Sequence, residues 1–500
     1  MSVGATGLIV LFVSAATFAL FGLVKSSNRA IDLEDYMVSR NQVGGPAAIA
    51  TITASALGAW ILFSPPEAGS AFGGITAILG YCLGSALAVV TFVFVGPRLR
   101  QIMPWGHSLN EYVRHRFNAE SSSGRLMYLL TVGVMLMYMF VYLTAELTAI
   151  AAALQLIADV PLAITAIVVI AAVFLYTAYG GLRVTIVTDV FQFALIVPLL
   201  LICFVTTISM LGGIGPAFEP VINNLPELLS FSNVDGLRFG ATLLIAVIAA
   251  ELFNQGNWQR VYACRDSFTV RKSFLGSALI ILPMIFLSGL LGLIAAGYDI
   301  VGATAFFDLL QRLNISNWFV GAAILLAVAL VMSSLDSLLN GISAVFAGDL
   351  LRVNQDSDKV LLISRGLTVA VGIPAVAIAS QGYSVLYLFF IADLLCAAML
   401  VPLLLSFYNR HQTAPNALVS SLVGMVIGVL FFPKPDFSPL VAIPGGGDLL
   451  NSFAIALFSS TLITLVWTEI SKRNNKFAFR YSDLQAVKPY NQQPSAIAKR

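Results

Sequence analysis

The sequence predicts an all-α membrane protein of about thirteen transmembrane helices. Three observations carry that reading. Of the 500 residues, 58% are hydrophobic and only 10% charged, whereas a soluble domain is about 25% charged. Mean hydropathy is +0.90, and apolar runs of about 20 residues, long enough to cross the hydrocarbon core, recur from end to end. When those runs are threaded alternately through a bilayer, 24 of the 27 Lys and Arg residues fall on one side.

The first run, 5–24, has no basic residue before it and is long for a signal-peptide core, so it reads as a retained helix. Runs 46–64 and 73–96 follow. "SLNEYVRHRFNAESS" then reads as a short cytoplasmic surface helix, because Ser108 and Glu111 have capping-box spacing. The run 126–156 is too long for a perpendicular crossing and is expected to tilt or project. Runs 160–179 and 188–212 flank a short link holding Arg183, and 238–257, 273–298, 317–347, 360–380, 384–408, 416–432 and 451–470 complete the set. "PGGGD" at 444–448 is an external turn, since neither a strand nor a Lys-Ser pair accompanies it. The polar tail 472–500 receives no function.

Threaded from an outside N-terminus, only Arg238, Arg312 and Lys434 lie outside. A missed or invented span would invert every later loop, so the asymmetry supports both the count and the direction. The expectation is a multi-pass protein of the plasma (inner) membrane with a cytoplasmic C-terminus and the lipid bilayer as its surroundings. A net charge of +2 implies no nucleic-acid partner. The four cysteines lack CxxC spacing and read as small packing residues; the three histidines lie in loop-like stretches, against a buried metal cluster.

Two spans do not run cleanly. "TASALGAWILFSPPEAGSAFGG" carries Gly58, Pro65, Pro66 and Gly69, which interrupt the hydrogen-bond ladder. "AAELFNQGNWQR" places Glu251, Asn254, Gln255, Gly256 and Asn257 where a smooth helix would be apolar. The two lie five spans apart, an odd number, so the second begins on the opposite side of the membrane, as in an inverted-repeat transporter. The organisation expected is a first helix and connection (1–45), a five-helix repeat (46–212), its inverted partner (213–410), two peripheral helices (411–471) and a tail (472–500).

"VMSSLDSLLNGIS", Val331–Ser343, poses a separate question. At 100° per residue Ser333, Asp336, Ser337, Asn340 and Ser343 share about a third of the helix circumference, with Ser334 at its edge. Such a stripe cannot face lipid. One reading is hydrogen-bonding glue between helices. The other is a cation site, because neutral hydroxyl and carbonyl oxygens are hard ligands that strip a small ion's hydration yet release it. Glu146, Glu251, Asp336 and Asp393 are acids within spans; their default reading is functional, with a hydrogen-bonded core acid as the alternative for Glu146 and Asp393.

These segments resemble a known family. "TAYGGLRVTIVTDVFQ" (177–192), "VMSSLDSLLN" and "FNQGNWQR" are similar, in composition and order, to motifs of the sodium/solute symporters, a resemblance covering about residues 30–410. It implies a LeuT-like fold, a 5+5 inverted repeat with one helix before and two after, and sodium-coupled import of a small organic solute by alternating access. It also implies a sodium site made by the carbonyls of Ala54, Leu57 and Leu330 and the hydroxyls of Ser333 and Ser334. Leu330 stands where relatives carry a small residue, which matters little if only its carbonyl ligates. Asp189, with Asp336, would line the ion path; a helix N-terminal acid beside Thr188 is the other reading of Asp189. Substrate-lining candidates are Trp60, Phe63, Ser64, Glu67, Glu146, Glu251, Asn254 and Gln255. Trp60 resembles the sodium/proline pattern and Asn254-Gln255 the sodium/galactose pattern, so the motifs do not choose a substrate.

No basic residue lies deep in a predicted span, which favours a neutral or zwitterionic solute such as an amino acid, a sugar or urea over a di-acid. No cofactor beyond Na⁺ is expected. Among rivals, a channel filter is not evident, an enzyme would need a constellation within the spans, and a transporter-like sensor would carry an appended domain. Proton coupling through Asp189 and Asp336 is the nearest alternative.

Overall fold

A computed structural model describes residues 3–26, 33–313, 315–351, 356–474 and 478–487. Of the basic residues counted as cytoplasmic, Arg29, Arg352, Lys476, Lys488, Lys499 and Arg500 lie outside the described residues, as does most of the 472–500 tail. Every named element among the described residues is helical. Ten helices are long and apolar enough to cross a membrane, and two bent pairs, Gly45–Ala56 with Ala59–Ala71 and Val234–Glu251 with Gln255–Ala263, each supply one more span.

One of the ten, Leu162–Met210, is 49 residues long, about 74 Å at 1.5 Å per residue and over twice the hydrocarbon thickness. It is two spans joined at Gly181, whose φ of 53° and ψ of −158° lie in a region open essentially to glycine alone. The reversal is visible in the contacts. Tyr176 and Thr188 would stand about 18 Å apart along a straight helix, yet both donate to Oδ2 of Asp336. With this hairpin the described spans number thirteen, in the order expected.

The sequence-based boundaries need correction where polar residues face protein. No loop separates 179 from 188: Thr177 before the turn and Thr185 and Thr188 after it return their hydroxyls to backbone carbonyls one turn back, and both arms stay helical up to the turn. The two broken spans extend beyond 46–64 and 238–257 because Glu67, Gln259 and Arg260, which hydropathy reads as solvent-facing, are buried against neighbouring helices.

Glycine sets the closest approach in the bundle. Gly80 and Gly84 of Ile75–Ile102 meet Gly240 and Leu243 of Val234–Glu251; a Cβ on Gly80 would stand 2.1 Å from the Gly240 Cα. This is the small-xxx-small seam by which membrane helices gain backbone contact. On the expected cytoplasmic side, Leu109–Arg116 forms the surface helix, with Ser108 Oγ accepting from Glu111 N at 3.2 Å. The Glu111 carboxylate reaches back to His107 N, 2.8 Å, one residue earlier than a standard capping box.

The same ends of the two broken spans are tied by backbone pairing. Asn41 N donates to Tyr262 O at 3.0 Å, Val43 N to Ala263 O at 2.9 Å, and Arg265 N to Val43 O at 2.9 Å. Arg100 adds donors to the carbonyls of Val261 and Cys264, 2.7 and 2.6 Å. The two half-helices, Gly45–Ala56 and Gln255–Ala263, are thereby joined into one unit.

Candidate ion and substrate site

Each break is built from local chemistry. Gly45–Ala56 ends at Leu57 in extended geometry and Gly58 continues extended. The Glu146 carboxylate fills the gap, accepting from Ala59 N at 2.7 Å. A Cβ on Gly58 would stand 1.8 Å from Glu146 Oε1, so only glycine leaves room. Pro65 and Pro66 sit in the first turn of Ser64–Ala71, where a missing N–H leaves nothing unsatisfied. In the other broken span, Val234–Glu251 stops and Asn254 caps Gln255–Ala263, accepting from Gly256 N at 3.0 Å. Glu251 gathers the break around itself: Tyr138 Oη donates to Oε1 at 3.1 Å, and Asn254 and Asn257 donate to Oε2 at 3.3 and 2.6 Å.

The polar stripe of Asn317–Leu350 faces protein along its whole length. Ser333 and Ser334 are 0% and 1% exposed, so neither hydroxyl meets lipid. Ser333 Oγ lies 2.9 Å from Ala54 O and 2.9 Å from Leu330 O; Ser334 Oγ is 3.2 Å from Leu330 O. Leu57 is the C-cap of the half-helix that carries Ala54. Two carbonyls and two hydroxyls thus converge where the first broken span crosses the stripe. Further along, Asp336 accepts from Tyr176 and Thr188, Asn340 donates to Thr185, and Ser343 meets Tyr36 at 3.0 Å.

Asp189 shows what hydropathy missed. Arg260, read from sequence as a loop residue, is 1% exposed and lies inside the bundle. Its Nη2 donates to Asp189 Oδ2 and to Ser337 Oγ, both at 2.7 Å, and its Nε donates to Thr51 at 3.0 Å. Thr51 also donates to Asp189 Oδ2. A guanidinium and a carboxylate are kept here because each satisfies the other and the remaining donors find partners; alone, either would be very costly. A basic residue therefore does lie buried within the bundle, one turn from the end of a broken span, with its charge paired to Asp189.

Beyond the breaks lies a narrow cavity of about 40 Å³, lined by Trp60, Tyr81, Tyr142, Phe389, Glu251 and Asp393 among others. Trp60 stacks on Tyr81 with centroids 5.4 Å apart, and Phe389 meets Tyr142 edge-on at 5.1 Å. A wider vestibule holding Phe72, Phe239 and Arg238 lies beside it. Phe239 stacks on Phe72 at 4.3 Å and touches Phe390 of the cavity wall at 5.9 Å, so an aromatic layer separates the two spaces.

Of the sequence-derived substrate candidates, Trp60 and Glu251 line this cavity. Glu146 and Asn254 hold the breaks beside it. Of the others, Ser64 adjoins Tyr81 of the cavity wall, Phe63 packs on Phe307 at 4.8 Å, Glu67 is buried in Ser64–Ala71, and Gln255 donates to His107 O at 2.7 Å. Sequence reasoning did not single out Tyr81, Tyr142, Phe389 or Phe390. Aromatic residues on apolar helices carry no signal until the helices are assembled.

This architecture defines a class before any comparison: two broken helices facing a hydroxyl-bearing third, in a bundle of thirteen spans, make a LeuT-like transporter. The fold matches that of a Na⁺-coupled sialic acid symporter with a TM-score of 0.74, over 94% of this chain and 98% of that one, at 18% identity. The chain belongs to the sodium:solute symporter family, whose model matches residues 36–424. It is 27% identical over 374 residues to a spermidine transporter of Candida albicans, covering 73% of this chain and 68% of that protein. It is 26% identical over 448 residues to a sodium/glucose cotransporter of Vibrio parahaemolyticus, covering 79% of each. The protein is thus a multi-pass membrane transporter, a sodium-coupled solute symporter.

Proposed function

We propose that the chain imports a small organic solute together with Na⁺ by alternating access, with its N-terminus outside and its C-terminus cytoplasmic, and with repeats at 46–212 and 213–410. Sodium binds where Ala54, Leu57 and Leu330 present carbonyls and Ser333 and Ser334 present hydroxyls. The observation that carries this reading is the 2.9 Å approach of Ser333 Oγ to Ala54 O. It sets a hydroxyl from one helix against a carbonyl freed near the end of another, in a site buried away from lipid. A Na⁺ ion there draws the half-helix and the stripe together and holds the inner mouth shut. The Arg260–Asp189 pair lies at that mouth, and ion release through it requires the pair to part.

The driving force suffices. One charge moving through 100 mV yields about 2.3 kcal/mol, and a tenfold gradient adds about 1.4 kcal/mol, together enough for accumulation of a few hundredfold. As for the solute, the sequence preference was for a neutral or zwitterionic molecule. Spermidine is a polycation and glucose is neutral, so kinship leaves the charge open.

The test is Na⁺ binding by the purified chain, read as the rise in thermal midpoint in NaCl against KCl. Ser333→Ala with Ser334→Ala is expected to abolish that rise while leaving the midpoint in KCl within a few degrees of the parent. A double variant that keeps its full sodium response removes the assignment. A midpoint that answers to protons and not to Na⁺ replaces it with proton coupling.

A further inference from the structure

The central cavity has a charge as well as a shape. Glu251 and Asp393 stand in its wall, and no basic residue does among the described lining. The oxygens of Glu251 already accept three donors, from Tyr138, Asn254 and Asn257. Asp393 is different. It is 4% exposed, and its Oδ1 has no hydrogen-bond partner among the described residues. A buried acceptor left without a donor is costly unless something supplies one. Much of the remaining wall is aromatic, with Leu243, Val247, Ala250 and Leu386 completing it: Trp60, Tyr81, Tyr142 and Phe389 present ring faces and edges to the same small space.

These features select among ligands. A carboxylate-bearing solute would meet two acids and no cation. A small hard ion would find ring faces and one free carboxylate oxygen in place of an oxygen cage. An ammonium group on an aliphatic stem fits both halves, since its N–H groups can donate to Asp393 and its charge is attracted to the π faces. We infer that the solute is an organic cation, a slender aliphatic amine, with its ammonium held by Asp393 and Glu251 inside the box of Trp60, Tyr81, Tyr142 and Phe389. This rests on the reading of the protein as a Na⁺ symporter, and it replaces the neutral or zwitterionic solute favoured by the sequence with a positively charged one.

The experiment uses the purified full chain in detergent, with thermal midpoint and tryptophan fluorescence as readouts. Probes are 1,4-diaminobutane and n-butylamine, with proline and glucose as zwitterionic and neutral comparators, each in NaCl and in KCl. The amines are expected to raise the midpoint, more in NaCl than in KCl, and to perturb the emission of Trp60; proline and glucose are expected to do neither. Asp393→Asn, which keeps the shape and removes the charge, is expected to weaken amine binding by about tenfold to a hundredfold. Its sodium response stays intact, which shows that the variant is folded. Phe389→Leu, apolar without a π face, is expected to weaken it several-fold.

Retained amine affinity in Asp393→Asn overturns the inference, because the acid then acts as a neutral partner. A sodium response with binding of proline or glucose, and none of the amines, overturns it too while leaving the symporter reading in place. Amine binding without any sodium response supports the cationic site and removes the symporter reading instead. Failure of both responses removes both.

Discussion

Arg260 is the residue whose replacement tests the transport cycle most directly. The half-helices Gly45–Ala56 and Gln255–Ala263 are tied to each other, so opening of the inner mouth moves them together away from Asp189 and Ser337. Four hydrogen bonds cross that divide: Arg260 to Asp189, Arg260 to Ser337, Thr51 to Asp189, and Ser333 to Ala54. Arg260→Lys keeps the charge but loses the planar fork that reaches both partners at once. Losing one charge-assisted bond costs about 1.5–3 kcal/mol. In the open mouth water solvates the same groups, and an exposed pair is worth at most about 1 kcal/mol. Nearly the whole loss therefore falls on the closed state, shifting the balance toward the open mouth by roughly 10- to 150-fold. The reporter is Ser343→Cys, buried against Tyr36 while the mouth is closed, in a chain whose four native cysteines are replaced by alanine. Labelling by a membrane-impermeant maleimide from the expected cytoplasmic face, without sodium, should accelerate at least tenfold in Arg260→Lys, and added Na⁺ should reverse it. An unchanged labelling rate with an unchanged thermal midpoint would refute the gate; acceleration that Na⁺ does not reverse would mean local unfolding.

Three more perturbations follow from the packing and the charges. Gly58→Ala drives a methyl into the Glu146 carboxylate and should cost about 1–3 kcal/mol; adding Glu146→Ala should recover part of the midpoint, and a strictly additive double variant would argue against the contact. Gly240→Leu, which collides with the Gly80 backbone, should depress the midpoint strongly, whereas Gly133→Ala, with open space around it, should be neutral or raise stability by up to about 1 kcal/mol; equal effects would deny the seam. The last concerns pH. Burial opposes a charge on His107, but the carboxylates of Glu111 and Glu34 outweigh it and hold the imidazole above its ordinary 6.5. Burial likewise opposes charge on Glu34 and Glu111, yet His107 holds both below 4.5. The histidine's contribution is thus complete below about pH 6.5 and is lost as pH rises through its raised value, while that of the carboxylates is lost as pH falls below about 4.5. The thermal midpoint should fall from pH 6.5 into the alkaline range, and His107→Gln should flatten that limb; an identical slope in the variant would separate His107 from it.

The sequence by itself was enough for the class, the number and order of the spans, the two interruptions and the polar stripe. Each is a local property. Backbone groups in lipid must bond within their own helix, so an apolar run is a helix, and Gly58 or Asn254 inside one marks a break. A period of 3.6 residues puts Ser333 and Ser337 on one face wherever that helix ends up. Tertiary structure alone decided what those features face. The sequence predicts a reversal between 179 and 188, but its reduction to the single residue Gly181, with no loop, is invisible to hydropathy because polar residues there face protein. Arg260 looks like a loop residue until Asp189, 71 positions away, is brought against it. The box around Asp393 draws aromatic residues from four spans, Trp60, Tyr81, Tyr142 and Phe389; Trp60 beside the break was legible, whereas the other three do not differ in sequence from an ordinary lipid-facing side chain. Helix formation depends on neighbours a turn away, whereas the chemistry of a buried charge depends on whichever helix packs against it.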